Sequence, residues 1–96
     1  MDMRIENVGG TVVLKVAGKL NTTTAPEFNK FVQENVKGPC DMTVDFAKLE
    51  FLSSAGIRSL MVLRSIVGAD RIKIINAHGL VREVFEISRL TAILGD

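Results

Sequence analysis

Strand-like and helix-like segments alternate along most of this chain, and that alternation constrains the fold more than any other feature. Residues 11–17 and 42–46 are apolar stretches rich in β-branched or alternating side chains, as strands are. Residues 28–36 and 56–67 instead carry apolar side chains at helical spacing, and each follows a strand-like segment. Strands separated by such helices pair in parallel through right-handed crossovers. The chain therefore predicts an α/β fold with a parallel sheet.

Further segments complete the order of elements. Residues 3–8 predict a first strand, joined to the second by a Gly-Gly dipeptide that is typical of a hairpin turn. Residues 71–76 predict a fourth strand, and residues 76–79 open a third helix. The order is then ββαβαβα: an N-terminal antiparallel hairpin, then parallel strands, in a mixed four- to five-stranded sheet with helices packed on it. Residues 90–94 form either a last strand or a packed tail.

The first helix is predicted to begin at Thr24. Thr24 and Glu27 have the spacing of a capping box, and Pro26 suits a first helical turn, where its missing N–H costs nothing. Residues 18–23 are then a polar loop, and the Gly-Pro pair at residues 38–39 ends the helix.

Composition bounds the class of protein. The 96 residues are enough for one domain, residues 1–96, and 47% of them are apolar, so the chain can build a core. All five Phe residues fall at apolar-periodic positions and are predicted to be core. The net charge of +1 is scattered, which argues against nucleic-acid binding. A single cysteine, Cys40, excludes an internal disulfide. The chain lacks a long apolar run and a signal-peptide pattern, so we expect a soluble, cytoplasmic protein.

The sequence does not assemble the groups that catalysis needs. The one histidine, His78, starts the third helix, where a structural role is expected, and Asp45 is expected to be a solvent-side carboxylate. No nucleophile elbow or phosphate-binding loop occurs. One His, one Cys and no clustered carboxylates predict neither a metal site nor a cofactor. We therefore expect that the protein is not an enzyme.

A serine pair, Ser53 and Ser54, stands where the third strand gives way to the second helix. Serine is a preferred helix cap, because its hydroxyl accepts a hydrogen bond from a free backbone N–H of the first turn. The same free N–H groups and the positive end of the helix dipole also favour a phosphate. The pair is consequently either a helix cap or the site of a phosphate switch.

The predicted topology brings the serine pair close to a second polar segment. Loops at the carboxyl ends of parallel strands share one edge of the sheet, and this edge is where such folds bind ligands and partners. Residues 19–23 and residues 51–56 both follow parallel strands. We expect the two loops to be neighbours, although about 30 residues separate them in sequence.

The segment from Val44 to Arg58 resembles the signature of STAS domains, and in particular of bacterial anti-sigma factor antagonists. Its distinctive part is Ser-Ser-Ala-Gly-Ile-Arg at residues 53–58, preceded by Val-Asp-Phe at residues 44–46. Residues 18–21 (Gly-Lys-Leu-Asn) are similar to the Gly-x-Leu-Asp segment of the family, and residues 71–85 are similar to its fourth strand and third helix. The resemblance thus covers nearly the whole chain.

The resemblance implies a mechanism of partner switching. Such an antagonist binds an anti-sigma factor that is a serine kinase, and so releases a sigma factor. The kinase phosphorylates a serine that matches Ser54, which disables the antagonist, and a serine/threonine phosphatase of the metal-dependent class restores it. The surrounding contact surface would comprise Asn21, Thr22, Thr23, Ser53, Ala55, Gly56, Ile57 and Arg58.

Two departures from the family pattern lie at this edge. Ser53 and Asn21 stand where many members carry Asp, and both remove a negative charge. Two other interpretations also stay open. The chain could be a constitutive STAS module, a scaffold or a ligand- or lipid-transport subunit, with Ser54 only a cap. It could instead bind a nucleotide at the start of the second helix.

Overall fold

The computed structural model describes residues 1–87, and its elements follow the predicted order ββαβαβα. The elements are β1 (Asp2–Val8), β2 (Thr11–Leu20), α1 (Ala25–Asn35), β3 (Met42–Leu52), α2 (Ser54–Val67), β4 (Ile72–Ile75) and α3 (Gly79–Ile87). Residues 90–94, for which a strand or a packed tail was expected, lie outside the described residues. No helix within residues 1–87 is long and apolar enough to cross a membrane.

The four strands form one mixed sheet in the order β1-β2-β3-β4. β1 pairs with β2 antiparallel, whereas the β2–β3 and β3–β4 pairs are parallel. The predicted sheet, a hairpin followed by parallel strands, is confirmed. The carboxyl ends of β2 and β3 consequently meet at one edge.

One face of the sheet is apolar and carries the helices. Ile5, Leu14, Val44 and Ile74 lie side by side across the four strands, and the last three are fully buried. The two right-handed crossovers advance in the same direction across the sheet, so α1 and α2 cover the same face. The other face carries charged side chains in register with one another, including Lys15 opposite Asp45. The structure is thus a two-layer arrangement in which one sheet face stays polar.

The third helix joins the same core through an aromatic contact. The rings of Phe46 on β3 and Phe85 on α3 have centroids 6.2 Å apart, and both side chains are fully buried. Phe28 on α1 is buried as well. The core prediction fails for Phe51, whose side chain is 40% exposed.

An irregular register explains the exposure of Phe51. β3 extends to Leu52 instead of ending at residue 46, and β2 extends to Leu20 instead of ending at residue 17. Between the Gly18–Leu49 and Lys19–Phe51 pairs, β3 contains one more residue than β2, and a similar shift occurs after the Lys15–Asp45 pair. Such β-bulges change the side of the sheet to which the following side chains point. Both Leu49 and Leu52 are therefore buried, and Phe51 points to the polar face.

The first helix begins directly after Thr24, as the sequence predicted, but the Thr24 side chain does not cap it. Thr24 has helical dihedral angles and makes no cap bond toward the helix. Instead, Asn21 Oδ1 accepts hydrogen bonds from the N–H groups of Thr23 (2.9 Å) and Thr24 (3.0 Å). In return, Thr24 Oγ1 accepts from the Asn21 N–H at 2.9 Å. The capping-box geometry exists, but it joins residues 21 and 24, and residues 22–24 form a turn that leads into α1.

The second helix approaches the sheet closely at Gly56. A Cβ atom at this position would lie 2.6 Å from Leu52 Cδ1, 2.9 Å from Leu20 Cγ and 3.0 Å from the Leu20 carbonyl oxygen. Only a glycine leaves room for the first turn of α2 to rest on the ends of both strands. This contact fixes the helix start relative to the sheet edge.

The Asn21 cap can be tested by two substitutions. Asn21→Ala should lower the free energy of unfolding by about 0.5–2 kcal/mol, because two backbone N–H groups lose their acceptor. Asn21→Asp should preserve stability, because Asp caps helices as well as Asn does. Urea denaturation of both variants measures the difference. An Asn21→Ala protein as stable as wild type would show that the cap contributes nothing.

The close approach at Gly56 predicts a cost for the smallest possible side chain. Gly56→Ala should lower the free energy of unfolding, because overpacking of about 1–3 kcal/mol outweighs the gain of about 1 kcal/mol in helix propensity. Ser65→Ala, at an exposed position of α2, is the matched control and should change stability by less than about 0.5 kcal/mol. A Gly56→Ala protein that is more stable than wild type in the same denaturation experiment would refute the packing argument.

Candidate functional site

The two polar loops predicted to be neighbours meet at the carboxyl edge of β2 and β3. Leu20 pairs with Leu52 at the ends of these strands, and the Ser53 N–H donates to the Leu20 carbonyl oxygen at 3.0 Å. Asn21 follows Leu20 directly, so its loop and the serine pair share one edge. The expected juxtaposition is confirmed.

Ser53 is the cap of α2. Its backbone is extended (φ −101°, ψ 176°), and its hydroxyl accepts a hydrogen bond from the Gly56 N–H at 3.4 Å. Its carbonyl oxygen accepts the first helical bond, from the Ile57 N–H at 3.0 Å. Both features are those of a helix N-cap. The capping role that the sequence left open between two serines therefore belongs to Ser53.

Ser54 is the first residue of the helix, and its side chain is exposed. Within the described part of the chain, its hydroxyl makes no hydrogen bond, whereas Ser53 is committed to the cap. The first turn of α2 contains no acidic residue, and the exposed Arg58 follows one helical turn later. The Ser54 hydroxyl is thus accessible at the positive end of a helix dipole, with no carboxylate in the same turn.

The other residues of the expected contact surface differ in exposure. Thr22 and Thr23 are exposed, and Ala55 and Ile57 are partly buried beside Ser54. Gly56 is buried, so it serves the packing of α2 on the sheet rather than an exposed contact. Asn21 is partly buried, and its side chain is held by the cap of the first helix.

His78 and Asp45 have structural roles at the side of β3. The His78 Nε2–H donates to the Ala47 carbonyl oxygen at 3.1 Å, because a carbonyl can only accept. Asp45 Oδ1 accepts from the Ala47 N–H and from the Asn76 side-chain amide, each at 2.9 Å. Residues 1–87 contain no group of three or more His, Cys, Asp or Glu side chains that could hold a metal ion.

A cleft of about 290 Å³ opens on the polar face of the sheet, near the first bulge. Its walls carry charges of both signs. The charged side chains that line it are Asp2, Arg4, Lys15, Asp45 and Lys48.

Sequence reasoning missed Phe51 as a surface residue at this edge. The signal was present in the spacing of Leu49 and Leu52, two strongly apolar residues that are three positions apart. In a regular strand, side chains alternate between faces, so residues three apart cannot both point to the core. Burying both requires a bulge, and the bulge turns Phe51 outward.

The sequence and the fold of this chain are both similar to those of known proteins. A family model described as "Mlab, STAS domain" matches residues 3–95. A protein of Bordetella bronchiseptica, provisionally named anti-sigma factor antagonist BtrV, is 29% identical over 98 residues, which cover 97% of this chain and 83% of the relative.

Solved structures agree with the family model. An anti-sigma factor antagonist from Mycobacterium paratuberculosis superposes with a TM-score of 0.85 at 20% identity, covering 98% of this chain and 82% of its own. Unphosphorylated SpoIIAA, a Bacillus protein, superposes with a TM-score of 0.81 at 23% identity, covering 99% of this chain and 87% of its own. By its sequence match and its architecture, this chain belongs to the STAS domain family.

Proposed function

We propose that this protein is an anti-sigma factor antagonist whose activity is switched by phosphorylation of Ser54. In its unphosphorylated form it binds an anti-sigma factor that is a serine kinase, and so releases a sigma factor. The kinase phosphorylates Ser54 and thereby dissociates the complex, and a serine/threonine phosphatase of the metal-dependent class reverses the modification. The protein acts in the cytoplasm and performs no catalysis itself.

The division of roles between the two serines is the observation that carries this proposal. Ser53 caps α2, so the fold does not need the hydroxyl of Ser54. A kinase can modify an exposed hydroxyl at the first helical position without breaking the cap bond to Gly56. The positive end of the helix dipole tolerates the new charge, so the modified protein stays folded.

The effect of the phosphate then falls on the partner. Phosphorylation adds about −1.5 to −2 charges at neutral pH and three bulky acceptor oxygens. At Ser54 that charge stands at the edge of the sheet that also carries the exposed Thr22 and Thr23. A partner surface that fits the neutral hydroxyl loses its fit and must desolvate a charge. The proposed contact surface is the one expected from the sequence, with Gly56 contributing by packing only.

The alternative of a constitutive module depended on Ser54 as the helix cap. In the structure Ser53 fills that role, and the exposed hydroxyl of Ser54 supports the switch. The departures from Asp at residues 21 and 53 also have a structural meaning. Asn and Ser cap helices as Asp does, so the fold is preserved while the edge loses negative charge.

A pair of alanine substitutions separates capping from function. Ser53→Ala should lower the free energy of unfolding by about 1 kcal/mol, because the Gly56 N–H loses its acceptor. Ser54→Ala should change it by less than about 0.5 kcal/mol, because an exposed hydroxyl with no hydrogen bond is removed. Chemical denaturation of both variants gives the values. Equal losses for the two variants would contradict the assignment of the cap.

A second experiment tests the switch itself. Wild-type protein, Ser54→Ala and Ser54→Asp serve as baits in lysate from the source cells, and retained proteins are identified by mass spectrometry. Wild type and Ser54→Ala should retain a serine kinase that Ser54→Asp does not, because the carboxylate imitates the charge of the phosphate. The purified kinase with ATP should then modify Ser54 of wild type and leave Ser54→Ala unmodified.

Two results would overturn the proposed function. One is that no kinase is retained by wild type. The other is that Ser54→Asp retains the kinase as strongly as wild type does. Denaturation curves of the three baits, which should coincide, exclude unfolding as the cause of a difference.

A further inference from the structure

An exposed aromatic side chain lies at the edge of the sheet that carries the serine pair. Phe51 is 40% exposed, whereas Phe28, Phe46 and Phe85 are fully buried. Phe31 is partly buried and packs against the core. Phe51 is thus the one Phe within residues 1–87 whose ring is offered to solvent rather than to the core.

A β-bulge in β3 places the Phe51 ring outside the core. Gly18 and Lys19 are consecutive in β2, but their partners Leu49 and Phe51 in β3 are separated by Glu50. Without this bulge, regular alternation from the buried Leu49 would send Phe51 inward. β-bulges concentrate beside functional sites, where they redirect a side chain. The exposure of Phe51 therefore follows from the register of β3 and is not a frayed strand end, because Leu52 beyond it is paired and buried.

Phe51 also adjoins the proposed contact surface. It lies one position before the Leu20–Leu52 pair, and the Leu20 carbonyl oxygen accepts the Ser53 N–H. The exposed residues of that surface are otherwise hydroxyl-bearing or charged: Thr22, Thr23, Ser54 and Arg58. Interfaces obtain most of their affinity from a few anchors that fill pockets, and aromatic side chains are frequent among them. Ile57 offers a partly buried aliphatic side chain to this surface, and Phe51 is the exposed aromatic side chain beside it.

We propose that Phe51 is the apolar anchor of the surface that binds the anti-sigma kinase, so that the interface continues from α2 over the sheet edge to the polar face. This inference rests on the proposed function. The complementary site on the partner is an apolar pocket with carboxylates at its rim. Lys19 lies directly across from Phe51, and Lys48 precedes it on the same strand face. Neither lysine forms an ion pair within residues 1–87, and Glu50 is the one carboxylate in this part of β3.

Site-specific photo-crosslinking tests the location of this surface. p-Benzoylphenylalanine is placed at position 51 or, as the control, at position 8. Val8 is also an exposed apolar residue (57%), but it lies beside the β1–β2 turn, at the opposite end of the sheet. Irradiation with the purified kinase should crosslink the position-51 protein and not the position-8 protein. Adding Ser54→Asp to the position-51 protein should abolish the crosslink.

Affinity measurements test whether the ring provides binding energy. Phe51→Ala should weaken kinase binding by about 10- to 100-fold in isothermal titration calorimetry, and Val8→Ala should leave it unchanged. Phe51→Leu, which keeps an apolar side chain, should lose less than Phe51→Ala. Melting curves of all three variants should match wild type, because neither residue is part of the core.

The outcomes separate this inference from the proposed function. Suppose that wild type binds the kinase and is phosphorylated at Ser54, but position 51 gives no crosslink and Phe51→Ala binds normally. The role of Phe51 as an anchor is then wrong, and the proposed phosphorylation switch is still supported. If wild type binds no kinase, both are wrong. If Phe51→Ala instead converts a wild-type dimer to a monomer in light scattering without changing kinase affinity, the ring binds a second copy of this chain and the proposal fails.

Discussion

The close contact between the first turn of α2 and the ends of β2 and β3 is the constraint on which the rest of the structure depends. A glycine at position 56 lets the helix rest on Leu20 and Leu52 without a gap. The hydrogen bond from the Ser53 N–H to the Leu20 carbonyl oxygen fixes the same three elements together. Everything at the functional edge, from the cap to the exposed hydroxyl, takes its position from this junction.

The junction also separates the serine that stabilises α2 from the serine that we propose to be phosphorylated. A helix cap is worth about 1 kcal/mol, and a domain of this size has a total stability of about 5–15 kcal/mol. A modification that destroyed the cap would therefore lower the stability by a substantial fraction. Ser53 forms the cap and Ser54 does not, so a modification of the Ser54 hydroxyl leaves the hydrogen bond between Ser53 and the Gly56 N–H in place. Asn21 and Ser53 both accept backbone N–H groups at this edge, Asn21 in the turn that leads into α1 and Ser53 in the first turn of α2.

The element order, the sheet topology and the meeting of the two loops followed from the sequence, because each depends on periodicity and on the handedness of crossovers. The errors concern local details: the acceptor of one side-chain hydroxyl before α1, and the bulges in β3. Thr24 directly precedes α1, as expected, yet its hydroxyl donates to the Lys19 carbonyl oxygen at 2.7 Å and does not accept a bond from the helix. The side-chain acceptor in this turn is Asn21. The bulges in β3 were not predicted, because the regular alternation that identifies a strand ends at residue 46 although the strand continues to Leu52.

Phe51 illustrates why a site is harder to predict than a fold. Its apolar character places it in the core on any hydropathy argument, and only the register of β3 against β2 reverses that expectation. The register depends on burying both Leu49 and Leu52, which is a tertiary requirement. Gly56 is the opposite case. Its small size suggested that a partner could approach closely there, but Gly56 is buried and allows α2 to approach the sheet.

The bulges in β3 also bear on the open side of that strand. β4 pairs only with residues 42–45 of β3, so the later half of β3 has no strand on that side within residues 1–87. An open edge of that length is a template for aggregation. In β3 the bulges displace the backbone donors and acceptors from the spacing of a regular strand. The Ala47 carbonyl oxygen also accepts a hydrogen bond from His78. Bulges of this kind are one way in which natural sheets protect an edge from pairing with strands of other chains. The irregular backbone that exposes an aromatic ring thus also makes the edge a poor template for such pairing.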